Sequence, residues 1–168
     1  MDNEEVLAVL TALNARANPL SAILARAYPL IETELSDDER VWLAQEMAGY
    51  GVLEGVQTGL PAHARTYRLV FLSTVRITVK GQTLAPLEWP AGHSRLQFFG
   101  ASLSDLESLL ARSTTDTLDV PMPMAEELPP GGPPDAELTG TTNRDQVERI
   151  LARFRWDFSG LLIRLLGL

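Results

Sequence analysis

Few residues in this chain are of types that do chemistry, and their spacing narrows them further. The only histidines are His63 and His93. Neither lies in a spacing such as HExxH that presents two ligands to one metal, so each reads as a loop or packed histidine. Asp37, Asp38 and Glu39 form a dense acidic cluster, but Ser36 and Glu39 have the spacing of a capping box, which explains the cluster without chemistry. Gly49-Tyr50-Gly51 is not GxGxxG and follows no strand, so no dinucleotide loop is implied. A Ser-His-Asp triad has no GxSxG elbow behind it, and there is no Walker lysine or kinase signature. Cysteine is absent, which excludes disulfides, thiolate nucleophiles and cysteine-based zinc sites. Trp42, Trp89 and Trp156 are too widely spaced for a stacking platform and suit core or interface anchors. No catalytic residue, cofactor site or metal site is assigned, and the chain reads as a non-enzyme.

The elements that would position any site come next. At 168 residues, 45% of them hydrophobic and 21% charged, the chain has the composition of one globular domain with a real core. A net charge of -8 disfavours nucleic acid as a partner. Arg144, Arg149, Arg153, Arg155 and Arg164 cluster late in the chain but read as a mixed, solvated helix face. The start, MDNEEV, is acidic where a signal peptide would be basic, and no apolar run is long enough to span a bilayer. A cytoplasmic protein is expected.

Val6, Val9, Leu10 and Leu13 mark one face of a first helix, with Asp2, Glu4 and Glu5 at its start. Asn18-Pro19 separates it from a second helix, which Pro29 should kink or end. The Ser36–Glu39 capping box opens a third, running to about Tyr50, where Gly49 or Gly51 can close it. Residues 51 to 66 read as a loop. Then Tyr67 to Lys80 alternates with period two, enough for one long strand or two. Tyr67, Leu69, Phe71, Val75, Ile77 and Val79 take the buried side, and Arg68 and Arg76 the solvent side. Lys80-Gly81-Gln82 is a turn, and Thr83 to Trp89 returns as a partner strand until Pro86 or Pro90 stops it. Leu96 to Phe99 reads as a short strand. Ser104 to Glu107 is a second capping box, before Leu106, Leu109 and Leu110. Residues 113–142, with their prolines and PPGGPP, read as a connector.

The closing helix, 143–166, carries Val147, Ile150, Leu151, Phe154, Phe158, Leu161, Leu162 and Leu165 at helical period. Ile163 and Leu166 make its last turns apolar nearly all round, more than one core needs. Packing on its own domain is the first reading of that surface. A protein partner or self-association through Phe158, Leu161, Leu162 and Leu165 is the second. Contact with a membrane surface is the third, disfavoured by the acidic chain. The expected fold is α+β and predominantly helical: a helical bundle with a small antiparallel sheet and a long C-terminal amphipathic helix, in a single domain over residues 1–168.

The order of these parts resembles the AbiTii domain of prokaryotic abortive-infection proteins. The residues that carry the likeness are Leu24, Ala25 and Ala27, then Trp42 through Glu46 and Gly49-Tyr50, then Leu60-Pro61 and Tyr67-Arg68. The Pro86–Pro90 segment, the Ser104–Leu110 helix and Val147-Glu148-Arg149-Ile150-Leu151 follow. The likeness covers about residues 20 to 160, and its least common motif is W-x3-E-x2-GY followed by YR. It implies a non-enzymatic adaptor or sensing module in anti-phage defence, acting through protein–protein association, with no catalytic residue to carry over. Residues GVQTG and AHAR, around the proline loop, depart from the pattern. The alternatives are a hydrolase or nuclease with an unrecognised site built on His63 or His93, and a scaffold protein unrelated to defence.

Overall fold

In a computed structural model of the chain, residues 2–50, 65–79, 82–87, 95–122 and 136–168 are described. His63, His93, Trp89, the GVQTG segment, the first three residues of AHAR and the PPGGPP stretch lie outside them. The fold is α+β and predominantly helical, with small antiparallel sheets.

Three helices open the chain: α1 (Asn3–Ala15), α2 (Leu20–Ile31) and α3 (Asp37–Ala48). The Asp2 carboxylate caps α1 by accepting from the Glu4 amide at 2.9 Å, where the helix dipole favours a negative charge. Pro29 falls in the last turn of α2, which ends two residues later and runs into a 3-10 turn at Glu32–Glu34. The capping box of α3 forms: the Ser36 amide donates to Glu39 Oε2 at 2.9 Å, and the Glu39 amide donates to Ser36 Oγ.

The alternating run divides in two. A 3-10 turn at Thr66–Arg68 leads into β1 (Leu69–Phe71), and β2 (Thr74–Val79) follows after a break. The Leu72 amide donates to Arg95 O at 2.9 Å, beside β4 (Leu96–Phe98), the partner of β1. The next amide, that of Ser73, donates to Thr141 O at 2.8 Å in β6 (Ala136–Asn143), the partner of β2. The chain thus changes sheets between consecutive residues, and its side-chain parity slips with it. Arg68, Val70 and Leu72 point inward before the break and Val75 after it, whereas Phe71 is exposed. A one-residue slip exchanges the faces of a strand, so the expected inward set holds for β2 and is reversed for β1. Arg68, expected in solvent, is completely buried.

The larger sheet has the order β3-β2-β6-β5, with β3 at Gln82–Leu87 and β5 at Thr117–Met122. Two expectations are corrected here. Pro86 does not stop its strand, and the segment 113–142 is not a connector throughout, because it supplies β5 and β6. Proline lacks a donor for the ladder but is tolerated on edge strands. Pro86 and Pro121 lie in β3 and β5, the two edges of this sheet, while the inner β6 is rich in β-branched threonine.

Helix α4 (Leu103–Arg112) is capped by Ser102, not Ser104: Ser102 Oγ accepts from the Asp105 amide at 3.1 Å. This shift leaves Glu107 available for a distant task. Helix α2 begins at Pro19 without a side-chain cap of its own. The Glu107 carboxylate supplies one, accepting from the Leu20 amide and, at 2.6 Å, from the Ser21 hydroxyl.

Helix α5 (Arg144–Leu166) spans both hydrophobic clusters. Val147 and Ile150 pack with Val70, Leu72, Leu106 and Leu118 near the sheets. Phe154, Phe158, Leu161 and Leu162 pack among α1, α2 and α3. Most of its arginines are engaged with neighbouring groups. Arg144 donates to Leu110 O and Ser113 O at the end of α4, and Arg155 donates to Leu13 O at the end of α1, where cations complement the dipole. Burial, then the nearby Arg16, hold Arg155 below the usual guanidinium range. No described helix is long and apolar enough to cross a membrane.

The long-range cap gives the first prediction. Glu107→Ala leaves the first amides of α2 without their acceptor and should destabilise the fold by about 1–2 kcal/mol. A chain of this size then melts roughly 3–8 °C lower by calorimetry. An unchanged midpoint would show that the cap carries no stability.

Candidate functional site

Trp42, Glu46 and Tyr50 recur at intervals of four, so they line one face of α3 and the residues just beyond it. Gly49 makes that continuation possible. Its φ of 86° and ψ of 160° belong to a region that is in effect reserved for glycine. A Cβ there would also stand 3.1 Å from Gly100 O. The turn lets the Tyr50 amide donate to Gly100 O at 2.8 Å and folds the Tyr50 ring back along α3. From the other side, Tyr67 and Arg68 enter through the 3-10 turn that precedes β1.

These residues meet around one carboxylate. Glu46 Oε1 accepts from the Tyr50 hydroxyl at 2.5 Å, the Tyr67 hydroxyl at 2.8 Å and Arg68 Nε at 3.3 Å, while Oε2 accepts from Arg68 Nη2. Trp42 Nε1 donates to the Tyr67 oxygen at 3.0 Å, and Arg68 Nη1 donates to Ala101 O at 2.7 Å. The guanidinium also lies 5.2 Å from the centre of the Tyr50 ring, whose edge meets Phe98. Both members of the Glu46–Arg68 pair are fully buried. Burying unpaired charges is prohibitive, so the pair is tolerable because nearly every polar site on it has a partner.

The cluster fixes the protonation of its tyrosines. Burial and then the Glu46 carboxylate push the Tyr50 and Tyr67 hydroxyls far above the ordinary phenol range. Both therefore stay neutral donors, and neither is prepared to act as a base or nucleophile. Closed to solvent at its centre, the arrangement acts as a polar latch that ties α3 to β1 and to the loop before α4.

Outside the latch, a cleft of about 390 Å³ lies between α3 and α5. Arg65 covers the Trp42 ring at 4.7 Å. On α5, Arg153 pairs with Asp157 at 3.1 Å, and Arg164 pairs with Glu39 at 2.6 Å. Burial alone would raise the Glu39 carboxyl, but the Ser36 amide and hydroxyl together with Arg164 outweigh it and hold the group below its usual range. Trp156 stands at the cleft, 73% exposed. A second cleft of about 410 Å³ is lined by Arg76, Arg112, Ser113, Thr115, Asp119 and neighbouring residues, with Arg76 paired to Asp119. Among the described residues, no group of three or more His, Asp or Glu side chains could hold a metal ion.

The interaction face expected on α5 lies largely inside the domain. Phe158, Leu161 and Leu162 are buried in the domain's own core, and Leu165, partly buried, packs at its edge. The three helices in front of α5 need that wide stripe for their own core. Sequence reasoning missed the Glu46–Arg68 pair because each residue was placed by the periodicity of its own element. The signal available was the recurrence of Trp42, Glu46 and Tyr50 at intervals of four, which puts a charge in line with two aromatics. Exposed Trp156 carried no such signal, because it belongs to the face that helical periodicity leaves to solvent.

Compared with known protein families, curated proteins and solved structures, the chain matches none. The likeness to the AbiTii domain therefore rests on the order of its motifs alone.

The chain has three tyrosines, and the latch predicts how they titrate. Tyr50 and Tyr67 have folded values above their unfolded value of about 10. Their contribution to stability is therefore fully present below about pH 10 and is lost as pH rises from there toward the folded values. Absorbance at alkaline pH should register at most Tyr28 while the fold persists, with Tyr50 and Tyr67 ionising together with unfolding. Reversible ionisation of all three near pH 10, with the circular dichroism unchanged, would contradict the latch.

Proposed function

We propose that this chain is a non-enzymatic binding module, an adaptor or sensor in a prokaryotic anti-phage system. The observation that carries the reading is the use made of the W-x3-E-x2-GY…YR residues. They close on one another inside the domain, and what remains for function is surface. The exposed Trp156 beside the Arg65-covered Trp42, amid paired charges, supports a protein-binding role, because tryptophan and arginine dominate interface energetics. The defence setting comes from the AbiTii resemblance, whose motif residues are the ones that form the latch.

The test is a phage challenge. Cells carrying the intact gene in its native neighbourhood should plate a panel of phages less efficiently than cells in which the gene is deleted. Identical plating of every phage on both strains would overturn the defence reading.

A further inference from the structure

We draw no further inference here: the strongest candidate, the cleft of about 410 Å³ that Arg76, Arg112, Ser113, Thr115 and Asp119 line between the larger sheet and the end of α4, has its guanidinium groups already engaged, Arg76 with Asp119 and Arg112 with the Ser108 carbonyl, and nothing in the structure shows what ligand would fill it.

Discussion

A carboxylate and a guanidinium withdrawn completely from water must satisfy each other, and the structure around Glu46 and Arg68 is arranged to let them. The two belong to elements separated by a long stretch of chain, so their meeting fixes how α3 lies against β1. Such pairs are seldom the cheapest way to fill a core: apolar residues of similar volume are often as stable. What a buried pair can add is register. With Arg68 turned inward, alternation turns Val70 and Leu72 inward as well, toward Leu106, Leu118 and Val147. The slip at Leu72–Ser73 then restores Val75 to the buried side as the chain passes to the other sheet. Tyr67 packs against both hydrophobic clusters and donates to Glu46, so it joins the latch to the two halves of the core.

Helix α5 is the second organising element, and it depends on the same alignment. Its apolar stripe is divided between the two clusters, and its polar groups tie the surrounding elements to it. Gln146 bonds both backbone groups of Phe71 in β1, accepting from the amide at 2.7 Å and donating to the carbonyl at 3.1 Å. Arg144 and Arg155 complete the carbonyl ends of two other helices. A set of arginines that looks in sequence like a basic patch is mostly structural, which agrees with the acidic balance of the whole chain.

Much of the helical frame was legible because its signals are local. The capping box at Ser36–Glu39, the stripe from Val6 to Leu13 and the long period of α5 each depend on residues within a few turns. The misread parts depend on contacts made across the chain. Ser104–Glu107 has capping-box spacing, yet Ser102 is the cap and Glu107 serves α2. Prolines and glycines hid β5 and β6, since which strand is an edge becomes known only when the sheet is assembled. The parity of β1 could not be read because the alternation of Tyr67 to Lys80 continues through the break, and only the charge pair shows which side is inward. The apolar surface expected on α5 was misjudged in extent for a similar reason. Hydrophobicity pointed to Phe158, Leu161 and Leu162, which the core takes, and the exposed Trp156 stands on the opposite side.

The motif order that gives the family resemblance is therefore explained by folding physics: Trp42, Glu46, Gly49, Tyr50, Tyr67 and Arg68 are held together by one carboxylate and one glycine turn. The most direct measurement of this claim is a double-mutant cycle on Glu46 and Arg68, read by reversible chemical denaturation. With Glu46→Leu and Arg68→Met, each single change strands a buried charge and should cost about 3 kcal/mol or more. The double variant, left with an apolar pair, should be destabilised by much less than the sum of the two. Strictly additive losses, or single variants as stable as the wild type, would contradict the latch.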